Sequence, residues 1–321
     1  MRRSSALVSS VATVAMLSAV LAGCAASPDD ARACTPLIAS GDTSELVSAT
    51  GKVGAMPTVD VPAPLAVKDS QRSVLTKGSG LVAQAGMTVD YDAVLIDATT
   101  GTVAQATTFD GTAHPTRADD RGAMYEAMVC AQPGSRIALT TTLGESGVAG
   151  PNATEKDLER PLVIVLDIHG VFLGKSDGVN QLPADGMPVV VTAPDGTVGI
   201  TVPSGIDVPA NGDDKTSTIK LGSGPKLAEG DAAVVQLANW TWAADGTGVS
   251  QKTSTWDSNP QVITLTSEGD QGLPEYLVDA LVGLPVGSQV LVVRAPTSDS
   301  PDAMVFVIDL LGIRATADPA K

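Results

Sequence analysis

The chain is written twice. Gly78-Ser79-Gly80, followed six residues later by Gly86, recurs as Gly222-Ser223-Gly224, followed six residues later by Gly230. Each copy then enters an alternating strand pattern, passes Thr107-Thr108-Phe109-Asp110 or Ser254-Thr255-Trp256-Asp257, and reaches a proline at Pro115 or Pro260. Ala127-Met128-Val129-Cys130 with Gly134-Ser135 corresponds to Ala280-Leu281-Val282-Gly283 with Gly287-Ser288. Both copies close on an apolar strand carrying one acid, residues 162–170 and 304–312, and 87 and 85 residues separate Gly80 from Asp167 and Gly224 from Asp309. A duplication of that length calls for two similar domains rather than one large core.

Within each copy, short Val- and Thr-rich segments bounded by Gly, Pro, Asn or Asp are strands. Helical periodicity is confined to residues 124–129 and 273–284, where Leu273, Tyr276, Leu277, Ala280, Leu281 and Leu284 share one face. One short helix against an antiparallel sheet makes each copy an α+β domain, the helix burying the concave side. Gly134 and Gly287 follow the helices as turn residues. Between the copies, residues 174–200 are rich in Gly, Asp and Pro and hold one hairpin, 187–192 and 198–202 about Pro194-Asp195-Gly196.

The N-terminus is an export signal. Arg2 and Arg3 precede an apolar stretch, 6–21, and the tetrapeptide Leu21-Ala22-Gly23-Cys24. A Cys directly after Leu-Ala-Gly marks the lipoprotein kind of signal, so the mature chain is expected to begin at a lipidated (palmitate-type) Cys24. The apolar run falls short of the ~20 residues that span a bilayer. A polar tether follows, and the folded body is expected on the extracytoplasmic face of the cell membrane.

Charge and cysteines narrow the partners. The net charge is −16, with no Lys/Arg cluster beyond the signal, which argues against nucleic acid. Cys34 and Cys130 form an even pair in an oxidising location, either bridged, the favoured alternative, or two thiols. A bridge closing that loop would contribute up to about 4–5 kcal/mol. His114 and His169 stand 55 residues apart with no Cys/His cluster, so neither metal nor cofactor is expected. No Gly-x-Ser-x-Gly elbow or phosphate loop occurs.

The order of motifs, above all Gly222-Ser223-Gly224-Pro225, Gly230-Asp231, the run from Ala280 to Ser288, and Val305-Phe306-Val307-Ile308-Asp309-Leu310, resembles the FKBP-type peptidyl-prolyl cis-trans isomerases. The second copy is the closer match and the first a more diverged one. The resemblance implies two FKBP-like domains, each an antiparallel sheet wrapped around one short helix, and the N-terminal residues read separately give 1–23 as signal peptide and 24–44 as lipidated tether. Domain 1 would then span 45–175, a Gly/Pro-rich β-connection 176–204, domain 2 205–315 and a tail 316–321. It further implies rotamase chemistry on X-Pro bonds without nucleophile or metal. A proline ring enters an aromatic pocket that binds the twisted amide better than the planar one.

The pocket residues depart from that family. The expected strand Tyr, Phe-Asp pair and Trp floor align with Leu237, Lys252-Thr253 and Leu277 in the second copy, and with Ala93, Gln105-Ala106 and Met124 in the first. The whole chain has only three Phe, three Trp and three Tyr. Trp256, Asp257, Tyr276, Leu277, Leu237, Phe109 and Tyr125 are the candidate peptide-groove residues, with Phe109 and Trp256 equally readable as packing and Asp257 as a solvated turn acid. Trp240 and Trp242, two apart on one strand, are either a binding stripe or half of a core. The expected function is therefore a monomeric, membrane-anchored, extracytoplasmic isomerase-like protein acting on proline-containing segments of exported proteins, its activity weak or lost. A non-catalytic peptide-binding or chaperone lipoprotein is the alternative, and an envelope scaffold without a groove a third.

Overall fold

The computed structural model describes residues 34–119, 121–182, 184–245, 248–267 and 273–315. The expected signal peptide 1–23, the expected lipid-acceptor Cys24 and the tail 316–321 lie outside them. Three elements come first: α1 (Asp42–Glu45), β1 (Ser48–Thr50) and β2 (Thr58–Asp60). The first copy then supplies β3 (Gln71–Thr76), β4 (Thr88–Asp97), β5 (Thr102–Ala106), β6 (Pro115–Arg117), α2 (Ala123–Glu126) and β7 (Arg136–Thr142). It ends with α3 (Leu143–Ser146), α4 (Glu155–Leu158) and β8 (Pro161–Phe172). The connection holds β9 (Val179–Asn180), β10 (Val189–Thr192) and β11 (Val198–Thr201). The second copy supplies β12 (Lys215–Leu221), β13 (Ala232–Trp242), β14 (Val249–Ser254), β15 (Gln261–Thr264), α5 (Glu275–Leu281), β16 (Gln289–Arg294) and β17 (Ala303–Arg314).

The protein is thus mostly β with a few short helices, and its strands form two main antiparallel sheets, as two such domains require. The first sheet runs β5-β4-β8-β7-β3 with β6 also on β4, and the second runs β14-β13-β17-β16-β12 with β15 also on β13. The orders are the same, strand for strand, and β9 adds one edge strand to the second sheet. Even the irregularities repeat: β8 bulges at His169 where it pairs with Asp90 and Tyr91 of β4, and β17 at Leu311 where it pairs with Val234 and Val235 of β13. The repeated Gly-Ser-Gly has a steric cause. A Cβ at Gly78 or Gly222 would lie 2.1 or 2.2 Å from the carbonyl oxygen of Pro133 or Val286, a separation no side chain tolerates.

Strand alternation sends successive side chains to opposite faces of each sheet. One face of the second sheet receives α5, and both helices pack on the matching strand, α2 on β7 and α5 on β16. The helices are shorter than the periodicity suggests: α5 starts after Pro274, and Val282 turns extended ahead of Gly283, whose φ is +87°. The opposite face of each sheet is covered by a hairpin. Val47, Ala49, Val59 and Val61 around β1–β2 pack on Val94, Ile96, Val163 and Val165, while Val190, Val198 and Ile200 of β10–β11 pack on Trp240, Trp242 and Val305. The stretch read as a connection is therefore also a structural cover, the second copy's counterpart of β1–β2.

Both sheets belong to one compact unit that begins at Thr35. Leu173 N–H donates to Leu311 O across them, and Arg117 Nη2 donates to Trp256 O at 2.9 Å. Cys34 and Cys130 are disulfide-bonded. Among the described residues no helix is long and apolar enough to cross a membrane.

Candidate functional site

The helix face of the second sheet is an incompletely covered apolar surface. On β13, Ala233, Val235 and Leu237 point toward α5, and α5 returns Tyr276, Leu277, Ala280 and Leu281. Leu237, Ile263, Tyr276, Leu277 and Met304 are only half-buried around the buried core residues Val292, Phe306 and Ile308. The Tyr276 ring lies 6.1 Å from Phe306 at a tilt of 49°, and the Arg294 guanidinium sits 5.0 Å from the Tyr276 centroid. Burial pushes the Tyr276 hydroxyl pKa up, against the pull of Arg294, so the group remains an O–H donor near neutral pH.

The equivalent face of the first sheet is closed. Ala93 and Met124, the positions matching Leu237 and Leu277, are each 3% exposed, and Ile164, opposite Leu95 as Phe306 is opposite Asn239, is fully buried. Tyr125 is half-buried, with the Arg121 guanidinium 4.4 Å from its ring.

The structure divides the candidate groove residues between two faces. Leu237, Tyr276 and Leu277 come together beside α5. Trp256 does not join them. It is 7% exposed and packs with Trp240, Trp242, Met187 and Val198 on the hairpin side, where the two tryptophans two apart prove to be core. Asp257 is an exposed turn residue. Phe109, at φ +50°, packs on the hairpin-side core of the first sheet. The cause is register. Thr107 N–H donates to Ala93 O as Thr255 N–H donates to Leu237 O, so Thr107 and Thr255 are the equivalent residues. Trp256 therefore matches Thr108, not Phe109. By the same pairing the places equivalent to Lys252-Thr253 are Ala104-Gln105, one residue earlier than the sequence alignment puts them.

Sequence separation concealed a buried polar network in the first sheet. Asp90 and Asp92 lie two apart on β4 and are 0% and 1% exposed. Asp92 accepts from the Thr107 hydroxyl and meets His169 Nε2 at 2.8 Å, with His114 Nε2 3.9 Å away. Asp90 accepts from His114 N–H at 2.7 Å and from Arg314 Nε. The two histidines, isolated in sequence, thus converge on one carboxylate. His169, Asp90, Arg314, Phe109 and Phe172 line a cavity of about 600 Å³. The signal in the sequence was two acids at alternate positions inside a Val-rich strand, a placement that burial tolerates only with partners. Among the described residues no group of three or more His, Cys, Asp and Glu is arranged to hold a metal ion.

The acids of the closing strands are also equivalent. Asp167 faces Arg136 in the β7–β8 register, and Asp309 faces Gln289 in β16–β17. Asp167 takes two bonds from the Arg136 guanidinium, at 2.6 and 2.7 Å, and one from Gly54 N–H. Asp309 takes one from Gln289 Nε2 at 2.7 Å and one from Ser176 N–H at 2.8 Å. With an amide in place of the guanidinium, burial pushes the Asp309 carboxyl pKa above the usual range despite those bonds.

No protein-family model and no curated protein sequence matches the chain. Among solved structures it is similar to the three FKBP domains of wheat FKBP73, at 16% identity over 76% of this chain and 94% of that one, with a TM-score of 0.29. A peptidyl-prolyl cis-trans isomerase from Pseudomonas syringae pv. tomato is similar at 18% identity over 32% of this chain and 74% of that one, TM-score 0.26. FkpA from Escherichia coli is similar at 16% identity, over 42% of this chain and 54% of that one, TM-score 0.26.

Proposed function

We propose that this chain is a lipid-anchored, extracytoplasmic, monomeric FKBP-like protein whose second sheet takes proline-containing, apolar segments of exported proteins between α5 and β13, with rotamase activity weak or lost. The observation that carries the reading is the half-buried apolar set Leu237, Leu277, Tyr276 and Met304 beside Phe306. The first sheet has sealed the same positions, so the second is the binding domain.

Isomerisation about X-Pro has to lower a barrier of about 18–20 kcal/mol by favouring the twisted amide over the planar one. Apolar walls help by stripping water from the amide, but discrimination between the two states also needs groups aimed at the twisted carbonyl or nitrogen. Leu237 and Leu277 offer none. At the acid position, Thr253 has both its N–H and its hydroxyl committed to Asn239 Oδ1, at 3.1 and 3.0 Å. The groove therefore suits holding a segment better than turning it. Leu21-Ala22-Gly23-Cys24 supports the lipid anchor, which would place the groove where exported chains emerge unfolded.

A protease-coupled proline isomerisation assay on the intact chain tests the activity. Weak or absent acceleration at high protein concentration, together with measurable peptide binding, is the expected result. Acceleration comparable to an efficient rotamase would overturn the assignment of a weakened site, and absence of both activities would leave an envelope scaffold.

A further inference from the structure

The face of the first sheet that β1–β2 covers opens at one end into the cavity of about 600 Å³, a volume that suits a small ligand. Asp90, Asp92 and Val94 share that face by alternation along β4, and Val94 belongs to the core beneath the hairpin. His169 meets Asp92 there, Phe172 stands opposite Thr88 on the same side, and Phe109 packs on the same hairpin-side core. Arg314 comes from the second sheet, opposite Ala232 and so on the face of β13 that carries Trp240 and Trp242. His169, Phe109, Phe172 and Arg314 thus reach one cavity from one side of the two sheets. Two glycines make room for the Phe172 ring: a Cβ at Gly170 would lie 2.5 Å from its Cζ, and one at Gly312 would collide with the same ring. Phe109 holds a left-handed backbone, φ +50°, a strain that a bulky residue rarely accepts away from a functional site.

Two polar groups in the cavity have unused bonding capacity. Thr107 Oγ1 accepts from Ala93 N–H at 3.1 Å and gives its own proton to Asp92 Oδ1. A carboxylate only accepts, so the proton shared between Asp92 and His169 at 2.8 Å sits on Nε2, and Nδ1 carries a bare lone pair. A Cβ at Gly54 would come 3.3 Å from His169 Cε1 and 3.6 Å from Nδ1, so that edge of the ring is turned toward Gly54, which lines the same cavity. Arg314 gives Nε to Asp90, while its two terminal nitrogens have no acceptor among the described residues. His114 Nε2 is sealed away without a partner; His169 Nδ1 and the Arg314 terminal nitrogens are not sealed and open to what enters. We propose that this cavity binds a neutral aromatic ligand whose polar edge offers both a donor, for His169 Nδ1, and an acceptor, for Arg314, with its ring against Phe109 and Phe172. A carboxamide is the simplest such edge. An anion would find the Arg314 charge already met by Asp90 and would face Asp110 at the rim, and a cation would set its donors against those of Arg314. Two sources share this chemistry: a small aromatic amide, and a Phe residue of a polypeptide with its main-chain amides.

The test is a calorimetric titration of the intact chain with three isosteres, benzamide, benzoate and benzamidinium, and with N-acetyl-phenylalaninamide, at matched ionic strength and with imidazole neutral. Benzamide is expected to bind saturably and both charged isosteres about tenfold or more weakly, since one leaves His169 and the other leaves Arg314 facing its own kind. The location is read by ¹⁵N NMR of the imidazole rings, of which the chain has two. His169 should show the Nε2–H tautomer and shift saturably with the bound amide. Tighter binding of N-acetyl-phenylalaninamide assigns the site to polypeptide, and tighter binding of benzamide to small amides. No saturable binding of either amide, equal binding of a charged isostere, or an Nδ1–H tautomer at His169 would overturn the site. His169→Phe, which keeps a ring and removes the acceptor, should abolish the preference for benzamide over benzoate, and the wild-type series decides the question even if that variant fails to fold.

Discussion

Arg314, at the end of β17, donates through Nε to the carboxylate of Asp90 on β4 at 2.5 Å, joining residues 224 apart in the chain. Asp90 is fully buried and its other bond comes from a neutral N–H, that of His114, so Arg314 is its only cationic partner among the described residues. Arg314→Met leaves that charge buried and unpaired, which costs about 3–5 kcal/mol. Urea denaturation measures it. A loss below about 0.5 kcal/mol would mean that the pair contributes nothing across the two sheets, and the double variant Arg314→Met/Asp90→Leu should recover most of the loss.

Asp309 gives a pH signature. Its folded pKa is raised by burial, so the folded chain holds the proton more tightly than the unfolded one. Stability from this group is then greatest below the unfolded carboxylate pKa, falls as pH rises toward the folded value, and is flat above it. Asp309→Asn should remove that fall and leave the protein at least as stable as wild type near neutral pH. Urea midpoints of the two proteins across the acid range supply the comparison. A variant that loses stability only above the carboxylate range would mean that the ionised form is the favoured one.

Trp256 and Tyr276 separate packing from binding. Trp256→Ala opens a cavity beneath β10–β11 and should cost about 3–5 kcal/mol, with peptide affinity of the folded molecules unchanged. Tyr276→Ala, at a half-buried position, should cost about 1 kcal/mol and weaken peptide binding instead. Thermal unfolding and peptide titration of both variants would expose an exchange of these roles.

The duplication was legible in the residues because its steric causes are local: Gly78 and Gly222 stand where no side chain fits, and the alternating strands carry their own face assignment. Leu237 and Leu277 were placed at their positions by the resemblance of the second copy's motif order to the FKBP-type isomerases, not by the repeat. The register after β5 and β14 was not legible. Phe109 and Trp256 each follow a hydroxyl pair, but the bonds that fix the equivalence run from Thr107 and Thr255 to Ala93 and Leu237, 14 and 18 residues away. The convergence of His114 and His169 on Asp92 was concealed in the same way, since only the pairing of β4 with β8 brings 92 beside 167 and leaves His169 in the bulge.

The anchor has its own test. Growth of an expressing bacterium with labelled palmitate should label the wild-type chain, and Cys24→Ser should abolish the label and release the protein from the membrane fraction. Unchanged membrane association of Cys24→Ser would contradict a lipid at that residue.

The groove on the second sheet is tested most directly by titrating a fluorescein-labelled Ala-Leu-Pro-Phe peptide with the intact chain and following anisotropy. The account predicts saturable binding that Leu277→Asp weakens by about tenfold or more, a charge replacing apolar contact, while Met124→Leu in the sealed first sheet leaves it unchanged. No binding by wild type, or binding that Leu277→Asp does not weaken, would contradict it.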